Sequence, residues 1–193
     1  MSKFIPTGMR TKVPDPNALI ISTCSGNDSP FAGDHKHWSW ANPTNTRFPF
    51  EFHGLAVVST EALWQGCKLI GDATEPDPEI LAGAWRKNKG RKPRGAWCGP
   101  GEIITDPGEA RRIIYIPAYV RQLRSWLKFA IVRAMVHRAL DHEGPVYLRD
   151  FDTGQGIDRK GPMSHAWLLS QILEPLIQEN YELVDYIVYR KEG

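Results

Sequence analysis

With 193 residues, 41% of them hydrophobic, the chain is long enough to bury one sizeable core, and 24 lysines and arginines against 22 aspartates and glutamates leave a net charge of only +2. So even a balance excludes a global field that would hold the protein on nucleic acid or an acidic membrane, and any basic site has to be local. Three cysteines, Cys24, Cys67 and Cys98, odd in number and without a Cys-x-x-Cys pair, argue against a disulfide framework and a cysteine-rich zinc site and lead to the expectation of a reducing, cytoplasmic setting. No apolar leader opens the chain, and no run approaches the roughly 20 apolar residues that span a bilayer, so neither export nor a membrane partner is expected.

In chain order, Pro6, Pro14 and Pro16 each disfavour helix in the residue before them, so residues 1–17 read as an N-terminal arm and residues 18–193 as a single domain. Residues 18–22 (ALIIS) are a buried-strand candidate. Residues 24–49 are dominated by Gly, Asn, Asp, Ser, Thr and Pro yet carry Phe31, Trp38, Trp40 and Phe48, a composition typical of functional, self-packed loops. A strand over residues 50–58 leads to a helix beginning near Ser59, whose hydroxyl can cap it, with Glu61 in the first turn where the positive dipole end favours an anion. The spacing predicts a second helix over 77–88, with Pro78 at a tolerated position, followed by a basic, glycine-rich loop over 89–101. The longest helix is expected over 117–141, where Tyr119, Leu123, Trp126, Leu127, Ala130, Ile131 and Ala134 form a stripe and Gly144-Pro145 stops it. A short strand from Val146 opens into the acidic turn of residues 149–154. A helix over 164–180, kinked at Pro175, and a closing strand over 183–189 complete an α+β, helix-rich single domain with a small β-sheet.

On the helix after Ser59, a period of 3.6 places Leu63, Cys67 and Ile70 on one face and Glu61, Trp64, Gln65 and Lys68 on another. The first face supplies core. The second is either an ordinary solvated surface or one side of a site, and the polar, aromatic-rich loop that precedes it favours the site, since a helix N-terminus can seat an anionic group.

Residues 40–68 (WANPTNTRFPFEFHGLAVVSTEALWQGCK) resemble the NADAR family, also described as YbiA-like, through its helix pattern S/T-x-E-H-x-x-Q-x-x-K. Glu61, Gln65 and Lys68 match that pattern, while Ala62 stands where the family has His. The family's Ser-Asn-Phe loop is Ala41-Asn42-Pro43 here, so Asn42 alone is shared. A long helix bearing Trp126, the turn from Arg149 to Gly154 and a last helix after a glycine-containing loop follow in the family's order, without its Trp-Gly pair. The resemblance implies an enzyme acting on the N-glycosidic bond of a ribose phosphate: a free nucleotide, an ADP-ribosylated base or a flavin precursor. It implies no cofactor and no metal. Cleaving a ribose C1–N bond builds positive charge on the sugar, which a carboxylate near C1 stabilises, and Glu61 suits that role. Lys68 can bind phosphate as a point charge or, with a lowered pKa, form an imine with an opened ribose. Asp150 and Asp152 are candidates for ribose binding or a second acid/base group, against the plainer reading that an Asp-rich turn is turn chemistry.

The basic span of Arg86, Lys87, Lys89, Arg91, Lys92 and Arg94, ending at Trp97, reads either as a solvated loop or as a diphosphate or nucleic-acid clamp with Trp97 stacking on a base. Trp126, flanked by Arg121, Arg124 and Lys128, reads as core first and ligand contact second. Asp34, His35 and His37 form the one metal-like cluster and lack a second group to complete it. Two rivals to the enzyme therefore remain, a metal-dependent protein and a non-catalytic nucleotide- or nucleic-acid-binding module that uses residues 86–97.

Overall fold

The computed structural model describes residues 3–23, 38–84 and 92–189. Helices and small sheets alternate along the chain in an α+β arrangement in which helix outweighs strand. The chain divides into two compact units, Met1–Asn42 with Leu123–Gly193, and Pro43–Gln122.

The first unit is built on a three-stranded parallel sheet of order β1-β8-β2, with β1 at Phe4–Gly8, β2 at Leu19–Ser22 and β8 at Val146–Asp150. In β8 the side chains of Val146, Leu148 and Asp150 alternate inward, as a strand with one buried face requires. Phe4, Ile21, Val146 and Leu148 are buried, and the Phe4 ring meets Trp38 edge-on at 5.7 Å. Residues 1–17 were expected as an arm, yet Phe4–Gly8 is a strand; Pro6 is tolerated there because, among the described residues, β1 lies at the sheet edge and is paired on one side. Helix α6 (His165–Ile177) packs on β1 and β8, and its Leu168, Leu169, Ile172 and Leu173 are buried. The expected closing strand is instead helix α7 (Tyr181–Tyr189): Val184 and Val188, four apart, are both buried, and Asn180 accepts the Leu183 N–H at 3.1 Å. Burial at a helical period overrides the β-propensity of YELVDYIVY.

The expected single helix over 117–141 is two, α4 (Ile116–Leu127) and α5 (Ala130–Leu140). Phe129 is extended, and the Arg133 guanidinium donates to the carbonyls of Leu127 and Lys128 at 2.7 and 3.0 Å, satisfying the end of α4. The break resets the helical phase, so Val132, Met135, Val136 and Ala139 are buried while Ala130, Ile131 and Ala134 are exposed.

In the second unit, the strand expected over 50–58 is a hairpin, β3 (Phe50–Phe52) and β4 (Leu55–Val57), turned by His53 and Gly54 with φ of 48° and 80°, the left-handed pair that a two-residue hairpin loop needs. Helix α1 (Thr60–Gly66) follows, then the antiparallel sheet β5-β6-β7, formed by Lys68–Leu69, Gly95–Gly99 and Glu102–Ile104. Part of the expected loop over 89–101 is thus strand β6, buried over Ala96, Trp97 and Cys98. The helix expected over 77–88 is one turn, α2 (Pro78–Leu81), capped by Asp77; residues 85–91 lie outside the described residues. A further turn, α3 (Pro107–Ala110), runs through a π-helical turn (Arg111–Tyr115) into α4. Leu63, Cys67, Leu69, Leu81, Trp97 and Ile114 form this unit's core. Among the described residues no helix is long and apolar enough to cross a membrane.

Candidate functional site

Ser59 caps α1 as the sequence predicts, its Oγ accepting the Ala62 N–H at 3.1 Å, and the Glu61 N–H donates to the Pro43 carbonyl at 2.9 Å. Protein groups therefore take these two N–H groups at the helix end where the sequence led to an anion being expected. Thr60, buried, donates its hydroxyl to Gln122 Oε1 at 2.8 Å and so anchors the first turn to α4.

The polar face projects Glu61, Trp64 and Gln65, all half-buried. Lys68 was expected on the same helix. It is instead the first residue of β5, because α1 ends at Gly66 and Cys67 caps it. The expected grouping survives the change of element. Gln65 Nε2 donates to Glu61 Oε1 at 2.6 Å, and Lys68 Nζ donates to Gln65 Oε1 at 2.8 Å, so the amide links an acid and an amine too far apart in sequence for a one-turn pair. The Lys68 ammonium also lies 4.9 Å from the centre of the Trp64 ring, and Trp64 meets Tyr115 edge-on at 5.7 Å.

Burial holds Lys68 below the ordinary lysine range; the Glu61 carboxylate pulls it back up and the charge of Arg111 pushes it further down. Arg111 is only 5% exposed. The sequence reading missed it, since Arg111-Arg112 in an amphipathic stretch carries no sign of which side chain turns inward. The π-helical turn decides that, and such turns recur at functional sites.

Trp97 is 2% exposed and meets Phe52 and His53 edge-on, so it is core rather than a stacking platform. Trp126, 1% exposed, is core in the first unit. Arg94 is exposed, and its guanidinium donates to the Ala73 carbonyl at 2.6 Å. Arg91, with most of the basic span, and Asp34, His35 and His37 lie outside the described residues. Asn42, in the first unit, is half-buried and closes a 3-10 turn (Ser39–Ala41) by donating its N–H to Ser39. Asp152 is exposed, whereas Asp150 is buried and accepts bonds from Ser164 and from the backbone of Ala166. Among the described residues no group of three His, Cys, Asp or Glu could hold a metal ion. Comparison with family models, curated proteins and solved structures finds no match to this chain.

Proposed function

We propose that the protein is an N-glycosidase of the NADAR type that cleaves the C1–N bond of a ribose phosphate, such as an ADP-ribosylated base, with Glu61 and Lys68 as the reacting pair. The reading is carried by one observation, the Glu61–Gln65–Lys68 hydrogen-bonded chain, in which an acid and an amine of lowered proton affinity are held at fixed spacing on a half-buried face. Glu61 stabilises the positive charge that grows at C1 as the base departs. Lys68, its neutral fraction enlarged by burial, adds through Nζ to C1 as the C1–N bond to the base breaks, and the base leaves with the proton from Nζ; the C1–O4 bond of the resulting glycosylamine then opens, O4 taking the remaining Nζ proton, and water hydrolyses the imine to the sugar aldehyde and the free amine. Trp64 borders the amine with an apolar surface, and Gln65 sets the spacing between the two groups.

The test is incubation with ADP-ribosylated guanine oligonucleotides and with ADP-ribose, with and without borohydride. Release of ADP-ribose and reductive trapping at Lys68 are expected. Glu61→Gln should lower kcat by about 10²–10⁴ with ligand affinity retained. Binding without turnover, equal in wild type and Glu61→Gln and lost on neutralising Arg91, Lys92 and Arg94, would replace the enzyme with a binding module.

A further inference from the structure

The first unit gathers reactive side chains at the carboxyl ends of its parallel strands, the edge where ligands collect in open parallel sheets. Thr23 follows directly on β2, Asp150 ends β8, and His165 opens α6. Asp150 Oδ2 lies 3.0 Å from His165 Nδ1, and His165 Nε2 lies 2.9 Å from Thr23 Oγ1. The same carboxylate oxygen accepts the Ser164 hydroxyl at 2.7 Å and the Ala166 N–H at 3.2 Å, so its position is set independently of the imidazole. Thr23 Oγ1 also lies 2.9 Å from the Arg149 carbonyl, which takes its proton at rest; rotation about the Cβ–Oγ1 bond alone turns that proton to Nε2. Thr23 is fully buried, whereas the His165 side chain keeps 13% exposure.

Carboxylate, imidazole and hydroxyl in this order, with both links within hydrogen-bond reach and the imidazole oriented by a fixed acid, are the arrangement that activates a hydroxyl nucleophile. A polar clamp tying β2 to α6 would need the Thr23–His165 bond alone and would not need a carboxylate braced from two further sides. We propose that Thr23 is an acyl-accepting nucleophile, with His165 as its base and Asp150 as the group that orients the imidazole. The substrate class is a small ester, because the hydroxyl that takes the acyl group is buried and the imidazole beside it keeps only 13% exposure. In the step, Oγ1 bonds to the carbonyl carbon as its proton passes to Nε2. The adduct collapses, the carbon–oxygen bond to the alcohol breaks, and the alcohol leaves with the proton from Nε2. Water, deprotonated by His165, then releases the acid and restores the hydroxyl. This activity is separate from the glycosidase reading and uses neither Glu61 nor Lys68.

The experiment treats the full chain with p-nitrophenyl acetate and follows nitrophenolate release and the acetylated peptides by mass spectrometry, with circular dichroism confirming the fold of each variant. Acetyl-Thr23 is expected in wild type. Thr23→Ser should keep the acetylation, and Thr23→Val, close in shape, should remove the corresponding nitrophenolate release. His165→Gln should slow acetylation at that position by about 10²–10⁴. Three outcomes would each overturn the proposal: an unmodified Thr23 in the folded wild type, release by Thr23→Val equal to wild type, or acetylation of Thr23 in His165→Gln at the wild-type rate.

Discussion

Lys68 shows how a single residue acquires its chemistry from its surroundings. Desolvation disfavours the ammonium, Glu61 favours it and Arg111 disfavours it, so the three contributions can be separated by substitution. In a ¹³C-methyl-lysine NMR titration, the Lys68 midpoint should fall below 10.5; Glu61→Gln should lower it further and Arg111→Met should raise it. A lysine whose folded pKa lies under its unfolded value is bound by more protons when unfolded, so stability rises with pH between the two values. Lys68→Met should flatten that part of a denaturation-versus-pH curve. The buried thiols follow the opposite rule. Burial, with Cys98 adding to it, pushes Cys67 up to about 12, and burial with Glu102 raises Cys98, so neither carries thiolate at neutral pH. Iodoacetamide at pH 8 should leave both unlabelled in the folded protein and label both in urea, read by peptide mapping.

At the scale of elements, α1 is short and depends on its ends. Ser59→Ala removes the Ala62 cap and should cost about 1 kcal/mol in chemical denaturation. At the other end, a Cβ on Gly66 would come within 2.6 Å of Leu81 Cδ2, so Gly66→Ala should cost about 1–3 kcal/mol by forcing α1 off α2. The cap was legible in the sequence because capping is decided within four residues. The length of the helix was not, because β6 claims Lys68 and Leu69 as strand partners through Ala96 and Gly95, more than twenty residues away. The same contrast holds for residues 117–141, where the stripe is sound up to Leu127 and fails beyond it. A contact from Arg133 back to Leu127 and Lys128 closes one helix and shifts the phase of the next.

Over the whole molecule, stability follows strand placement. β8 is paired on both sides, whereas among the described residues β3 and β4 pair only with each other, and a lone two-stranded hairpin is marginal. Native-state hydrogen exchange should find the amides of Tyr147 and Leu148 protected at least about tenfold more than those of Phe50 and Phe52, because local opening of a hairpin costs less than opening a central strand. Equal protection would mean that the hairpin opens only with the rest of its unit.

The α+β class, strands β2 and β8, the capped start of α1 and the hydrophobic face of α6 follow from the amino-acid sequence alone, since each rests on spacing, propensity or capping within a few residues. So does the grouping of Glu61, Gln65 and Lys68, which lie three and four residues apart. The burial of Arg111, whose charge acts on Lys68, the loss of Trp97 to the core, the strand made by Phe4–Gly8 and the meeting of Thr23 with His165 across 142 residues are decisions of the tertiary structure. Contacts of that range are set by which surfaces pack together, and such packing leaves no period in the chain to read.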